Sequence, residues 1–492
     1  MSVMKRFLYL SFFVPLLILY AQPTTAAPKA MFSYGTFYSP GIGTYIETYL
    51  NFDASSLNFV KTESDEYQAT VEILLVFKQD SVIREFRKYE LKSPAIQDTV
   101  ENRFSFTDQQ RFLLPDGDYS LEIYLKDANL EESKLTYFED ISISFEPEQI
   151  NFSTIQLAER IEKADTPGLL TKSGYDIYPY VDYFYPSNIN IITYYAEIYD
   201  AANVLGQDEN VLITCSIEAF ETKTIVQNFN RFKRDVAKQV NIVLNSFDIA
   251  ELPSGNYFLV ISMKDRNNNT LASNRVFFQR SNPELKLNSE SFEHVSITNT
   301  FATQIVNIDS LSYFIQALDP ISNYTERELA NNLVSGRNLE LMQRYFYNFW
   351  LQRDYLNPQE AWKNYYIEMC RADANFKTLR KRGYDSDRGR VYLQYGPPNS
   401  ITQNYNEPHS YPYEIWHYYE INGQRNKRFV FYSQDIVTNN FELIHSDVIG
   451  ELANPRRNLF LNNRSSRGWD VDTENAPEYW GGKSRDYFDR PR

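Results

Sequence analysis

The chain has 492 residues, 43% hydrophobic and 23% charged. That balance suits a globular protein of about three domains and excludes a fibrous or wholly disordered one. Its 64 acidic residues against 49 basic ones give a net charge of −15, which repels phosphate backbones and excludes nucleic acid as an expected partner. Aromatic residues make up 16%, mostly 38 Tyr and 34 Phe, and rings of this kind suit pleated, half-buried strands.

Residues 1–27 read as a signal peptide. Lys5 and Arg6 form a positive start, Phe7 to Tyr20 an apolar run short for a membrane span, and small residues follow, with cleavage after Ala21 or Ala27. The expectation is an exported protein with no transmembrane segment after cleavage; an uncleaved anchor is the alternative. The exit carries no Cys for lipid attachment. Two Cys remain, Cys215 and Cys370, and both are expected as buried free thiols in different regions.

Strands separated by turn residues fill the next 250 residues or so, and they repeat. "LLPDGDYSLEIYLKDAN" (113–129) and "ELPSGNYFLVISMKDRN" (251–267) share Leu-Pro-x-Gly-x-Tyr and a later Lys-Asp. Gly117 and Gly255 supply turns, and Tyr119, Leu121, Ile123 and Leu125 then alternate along a strand. A weaker echo links 36–53 to 183–200. Two antiparallel β-sandwich modules of immunoglobulin or fibronectin type follow, at 28–148 and 174–283, joined by a linker at 149–173 with a short helix or turn. Their Tyr-rich strands suit glycan binding or plain strand packing.

After a second linker, 284–300, the period changes to that of helices. Leu311, Phe314, Ile315 and Leu318 share one face. Thr325 and Glu328 form a capping box. Leu339, Met342, Phe346, Phe349 and Trp350 form a stripe. Asn357 caps a helix that opens on Pro358 and buries Trp362, Tyr365, Tyr366 and Met369. Gly383 to Gly389 then reads as a polar loop, "RVYLQY" as a short strand stopped by Gly396, Pro397 and Pro398, and "YEIWHYY", "RFVFYSQ" and "FELIHSD" as further strands. Helices followed by an antiparallel sheet make 301–450 an α+β domain. The tail, 451–492, mixes charges with aromatics and reads as disordered, with Trp469, Trp480, Tyr487 and Phe488 as possible anchors.

The series "FWLQRD…NPQEAW…GYDSDRGRVYLQYGPPNSI…YEIWHYY" resembles the GWxTD domain of exported bacterial proteins, especially of Bacteroidetes. The motif falls on Gly383, Tyr384, Asp385, Ser386 and Asp387, with Tyr in place of Trp and Ser in place of Thr, followed by Arg388, Gly389 and Arg390. A second near-match, "GWDVD" at 468–472, lacks the Arg-Gly-Arg and Gly-Pro-Pro that follow the first. The resemblance implies a domain of unknown function. It brings no catalytic residue and no cofactor.

The residues agree. Asp385, Asp387 and Gly389 fall short of a calcium loop, because Gly389 stands where a third oxygen is needed and Arg388 and Arg390 add positive charge. The stretch reads instead as a junction between helices and sheet, with Asp387 accepting hydrogen bonds from backbone amides or an arginine within the loop. The rival site is histidine. His409, His417 and His445 lie in the sheet region, and His417 and His445 could converge on zinc or act as acid and base. No HExxH, CxxC or nucleophile elbow accompanies them. The leading expectation is a non-enzymatic binding or assembly protein of the cell envelope, periplasmic or associated with the outer membrane, with an extracellular location as the alternative, and with an envelope protein or a glycan as partner. The alternative is a periplasmic enzyme or metal-binding protein using the His417/His445 face.

Overall fold

The computed structural model describes residues 27–461, except 131–132, 147, 284, 286–295, 299, 408–409, 423, 435 and 455–456, together with 487–488. The expected leader up to residue 26, most of the second linker, His409 and the Gly-Trp sequence at 468–472 lie outside the described residues.

The first module has seven main strands: β1 (Ala30–Ser39), β2 (Gly43–Asp53), β3 (Thr70–Gln79), β4 (Val82–Lys92), β5 (Ser105–Leu113), β6 (Gly117–Asp127) and β7 (Lys134–Ile143). They form two antiparallel sheets in the orders β1-β2-β5 and β4-β3-β6-β7. Alternation along β6 turns Tyr119, Leu121, Ile123 and Leu125 inward, where they meet Ile73, Leu75 and Phe77 of β3 and Phe112 of β5.

The second module repeats this plan with β8 (Gln156–Lys163), β9 (Ile191–Tyr199), β10 (Asn210–Ala219), β11 (Ile225–Val236), β12 (Val240–Asp248), β13 (Gly255–Lys264) and β14 (Thr270–Arg280). Its sheets contain the orders β8-β9-β12 and β11-β10-β13-β14, strand for strand the order of the first module. The shared sequence signature has a physical cause. The Tyr119 hydroxyl donates to the Pro115 carbonyl at 2.8 Å, and the Tyr257 hydroxyl donates to the Pro253 carbonyl at 2.9 Å, so each Leu-Pro-x-Gly-x-Tyr closes the same tyrosine corner. A second shared device closes the open side of each sandwich. Arg87 of β4 stacks over Phe112 at 4.3 Å, and Arg231 of β11 over Phe247 at 5.0 Å.

Residues 149–173 are a correction. They hold strands rather than a helix: β8 pairs with β9 and continues beyond it to pair with Tyr175–Pro179, and the short strand Asn151–Phe152 before it pairs with the far end of β9. The mixed charges of "AERIEK" hid a strand whose far half is exposed. The modules meet through a buried charge network. Lys172 Nζ lies 2.5 Å from Glu47 Oε2, and Arg111 Nη2 lies 2.5 Å from Glu47 Oε1. The Glu47 and Lys172 side chains are 0% and 2% exposed. Burial alone would raise the Glu47 carboxyl, but the two cations outweigh it and hold it below the usual range.

The C-terminal domain is α+β as expected. Its main helices are α1 (Ile308–Gln316), α2 (Tyr324–Gly336), α3 (Leu339–Arg353), α4 (Pro358–Phe376) and α5 (Asp387–Tyr395). The sheet β15 (Ser400–Asn404), β16 (Tyr413–Ile421), β17 (Gln424–Tyr432) and β18 (Glu442–Ser446) follows in antiparallel order, and α6 (Arg457–Leu461) closes the region. The capping box of α2 is Asn323 with Glu326, two residues earlier than Thr325 and Glu328. Trp362 packs at 4.9 Å from Phe346 and 5.7 Å from Trp350, so the α3 and α4 stripes form one aromatic core. Cys215 is buried as expected, but Cys370 is exposed on α4. The tail is ordered in part: Phe488 is 8% exposed, with Arg457 stacked 3.7 Å from its ring. Among the described residues, no helix is long and apolar enough to cross a membrane.

Candidate functional site

The segment from Gly383 to Pro398 joins α4 to β15. The expected strand "RVYLQY" is instead the body of helix α5. Local chemistry explains why. Ser386 is the N-cap: its hydroxyl accepts from Gly389 N at 3.1 Å and donates to the Gly383 carbonyl at 2.8 Å. Gly396 ends the helix with φ +83°, a conformation that suits glycine, and Pro397 prevents its return. Val391 and Leu393 alternate like a strand pair, yet both reach buried positions around the helix.

The two motif glycines are required by contact. A β-carbon on Gly383 would lie 2.3 Å from the Ala372 carbonyl oxygen of α4, and one on Gly389 would lie 1.7 Å from the Gly383 carbonyl oxygen. The loop is thus pressed onto α4 and the first turn of α5 onto the loop. Gly383 N donates to Asp373 Oδ1, while Asp373 Oδ2 accepts from the Tyr313 hydroxyl at 2.8 Å. Tyr384, at the position the family fills with Trp, packs 5.7 Å from the Tyr313 ring.

The charged residues of the motif tie helix to sheet. Asp387 Oδ2 accepts from Leu443 N of β18 at 2.7 Å, so its partner is a backbone amide of the sheet and not of its own loop. Arg388 donates to Glu414 Oε1 at 2.9 Å and to Asn439 Oδ1 at 2.7 Å, and stacks 4.1 Å over Phe441. The Arg388 and Glu414 side chains are only 6% and 3% exposed. Glu414 also accepts from Tyr405 and Trp416, so the buried carboxylate is fully hydrogen-bonded. Arg390 forks onto Glu451 at 2.8 and 2.7 Å. Asp385 is exposed.

Sequence reasoning missed Asp373, Glu414 and Glu451, the acceptors that these motif groups need. Glu414 had a signal: it shares a strand face with Trp416 and Tyr418, where a carboxylate needs a partner.

The histidines do not converge. His417 of β16 stands opposite Arg428 of β17, and His445 of β18 stands opposite Val430 of β17. They share a sheet face, but a whole strand separates them and their partners on β17 lie two residues apart, which puts their backbones roughly 11–12 Å apart. A cation, Arg428, lies beside His417. His445 Nδ1 accepts from Asn454 N at 2.9 Å, and its ring packs 5.3 Å from Phe488. Burial, with Arg457 nearby, pushes the His445 imidazole down to about 3. Burial, helped by Arg428, also lowers His417. Neutral, packed imidazoles flanked by arginines are poorly placed for cation binding or proton transfer. Among the described residues, no group of three His, Cys, Asp or Glu side chains is placed to hold a metal.

The fold and this junction define a multidomain β-sandwich protein with an α+β module at its C-terminal side. Residues 287–453 match the family model of the GWxTD domain, so that module is a GWxTD domain. No curated protein matches the chain. Among solved structures, it is similar to the fibronectin(III)-like modules of Clostridium thermocellum CbhA, at 9% identity over 50% of this chain and 89% of that one, with a TM-score of 0.14. It is also similar to a β-glucuronidase of Parabacteroides merdae, at 9% identity over 60% of this chain and 36% of that one, with a TM-score of 0.19. Such remote likenesses carry no argument about activity; the strand orders alone define the sandwiches.

Proposed function

We propose that this is an exported cell-envelope protein of the Bacteroidetes type, with two β modules holding a GWxTD domain that binds or assembles rather than catalyses. The observation that carries this reading is where the motif's chemistry is directed. Gly383, Ser386, Asp387, Arg388, Gly389 and Arg390 all contact groups within the domain. A motif used in this way specifies a shape, and a rigid shape held by spacer modules suits recognition of an envelope protein or glycan. Export rests on the leader-like start at Lys5 to Ala27.

Two measurements in the native host test the proposal. N-terminal sequencing should find a chain beginning after Ala21 or Ala27, and a mature chain still starting at Met1 in the cytoplasm would refute export. Where loss of the protein alters envelope integrity, a variant carrying His417→Gln and His445→Asn should restore it as well as the native chain does. Failure of that variant, folded and at normal level, would favour the enzymatic reading.

A further inference from the structure

The GWxTD domain rests on the outer face of the second module. Phe220, Phe258 and Phe277 form a buried patch there, and Tyr395 from the motif helix packs against it. Gly450 approaches so closely that a β-carbon would lie 3.0 Å from Phe277. At the border of this apolar contact sits Glu221, on the turn between β10 and β11. Its side chain is 3% exposed. Asn256 Nδ2 donates to Oε1 at 3.3 Å, and the nearest cation, Arg327 Nη2 of α2, stands 3.8 Å from that same oxygen. Among the described residues, no donor reaches Oε2.

This geometry suits a neutral acid better than a carboxylate. An ionised group loses its hydration when the domains close, and one oxygen then gains nothing in return. Arg327 is a weak remedy because it is shared: its Nε also lies 4.0 Å from Asp319 Oδ1. The other groups facing Glu221 are Glu326 of α2, Tyr257 of β13 and Tyr395 of α5, and none adds positive charge. Glu326 is engaged elsewhere, by the two Arg353 nitrogens at 3.0 and 2.9 Å.

We propose that the seam between the second β module and the GWxTD domain is a proton-operated contact, which takes up a proton at Glu221 on closing and loosens when that carboxyl is ionised. The direction follows from burial, which raises the Glu221 carboxyl above its ordinary value and outweighs its own backbone amide, Arg327 and Asn256 together. A group whose pKa is raised in the closed state favours closure at low pH, and that advantage is lost as pH rises through its closed-state pKa. A pKa higher by one in the closed state makes the closed-to-open ratio about tenfold larger at low pH than at high pH. The seam acts in this way whatever the domain binds.

The test uses the full chain with spin labels at the exposed native Cys370 and at a cysteine replacing the exposed Phe232. The reading is the urea concentration at which half of the inter-label distances open. Glu221→Gln mimics the protonated acid. It should raise that midpoint at pH 8 and leave it unchanged at pH 5. Arg327→Gln, which removes the nearest cation, should lower the midpoint at pH 8 more than at pH 5. If Glu221→Gln lowers the pH 8 midpoint or leaves it unchanged, the ionised carboxylate is well accommodated and the proposal fails.

Discussion

The Gly383 carbonyl oxygen and the α-carbon of Gly389 approach so closely that a β-carbon on Gly389 would lie 1.7 Å from that oxygen. Only glycine lets the first turn of the motif helix rest on the loop before it. The clash would be with backbone, which has little room to move, so Gly389→Ala should cost at least the upper end of the usual 1–3 kcal/mol of overpacking, about 3 kcal/mol. Urea unfolding of the full chain, followed by a probe in the GWxTD domain, checks this; a loss below about 1 kcal/mol would mean that the loop gives way easily.

The buried pair of Arg388 and Glu414 should behave asymmetrically. Arg388→Ala leaves a carboxylate buried with its strongest donor gone and should destabilise the domain by about 3–5 kcal/mol. The double variant Arg388→Met with Glu414→Gln should lose clearly less than the two single variants summed. Simple additivity in a double-mutant cycle would contradict the coupling seen in the structure.

His445 makes stability depend on pH. Its imidazole titrates at about 3 in the folded protein, against about 6.5 in an unfolded chain. The unfolded state therefore takes up a proton first as pH falls. Stability should drop progressively from about pH 6.5 toward pH 3, by up to a few kcal/mol. His445→Asn can still accept from Asn454 N and should flatten this slope; an unchanged slope would show that other groups set it.

The two tyrosine corners should act independently. Tyr119→Phe and Tyr257→Phe each remove one hydroxyl-to-carbonyl bond and should each cost about 1 kcal/mol. The double variant should lose the sum, because the two corners share no contact. Strong non-additivity in chemical unfolding would mean that the two corners are energetically coupled.

The duplicated modules were legible because a turn, a Gly and a Tyr at fixed offsets encode one local device, the tyrosine corner. The helices were legible from their apolar stripes. The motif helix was misread because Val391 and Leu393 alternate like a strand, and the Ser386 cap and Gly396 stop outweighed that pattern. The strand at 156–163 was hidden by the charges on its exposed half. The motif's partners, Asp373, Glu414 and Glu451, lie far from it in sequence or on other elements. A sequence shows that an arginine needs a partner but not which carboxylate the fold will bring to it.

The central claim is that the motif builds structure and holds neither a metal nor a reacting group. The most direct test is to compare the unfolding of Asp387→Ala and Asp385→Ala, with and without chelator. Asp387 accepts from Leu443 N at 2.7 Å, so its removal should cost about 1–3 kcal/mol. Asp385 is exposed, so its removal should fall within about 0.5 kcal/mol of the native chain. Chelator should move neither variant nor the native chain. An Asp387→Ala chain as stable as the native one, or a native chain that loses stability on chelation, would contradict the account.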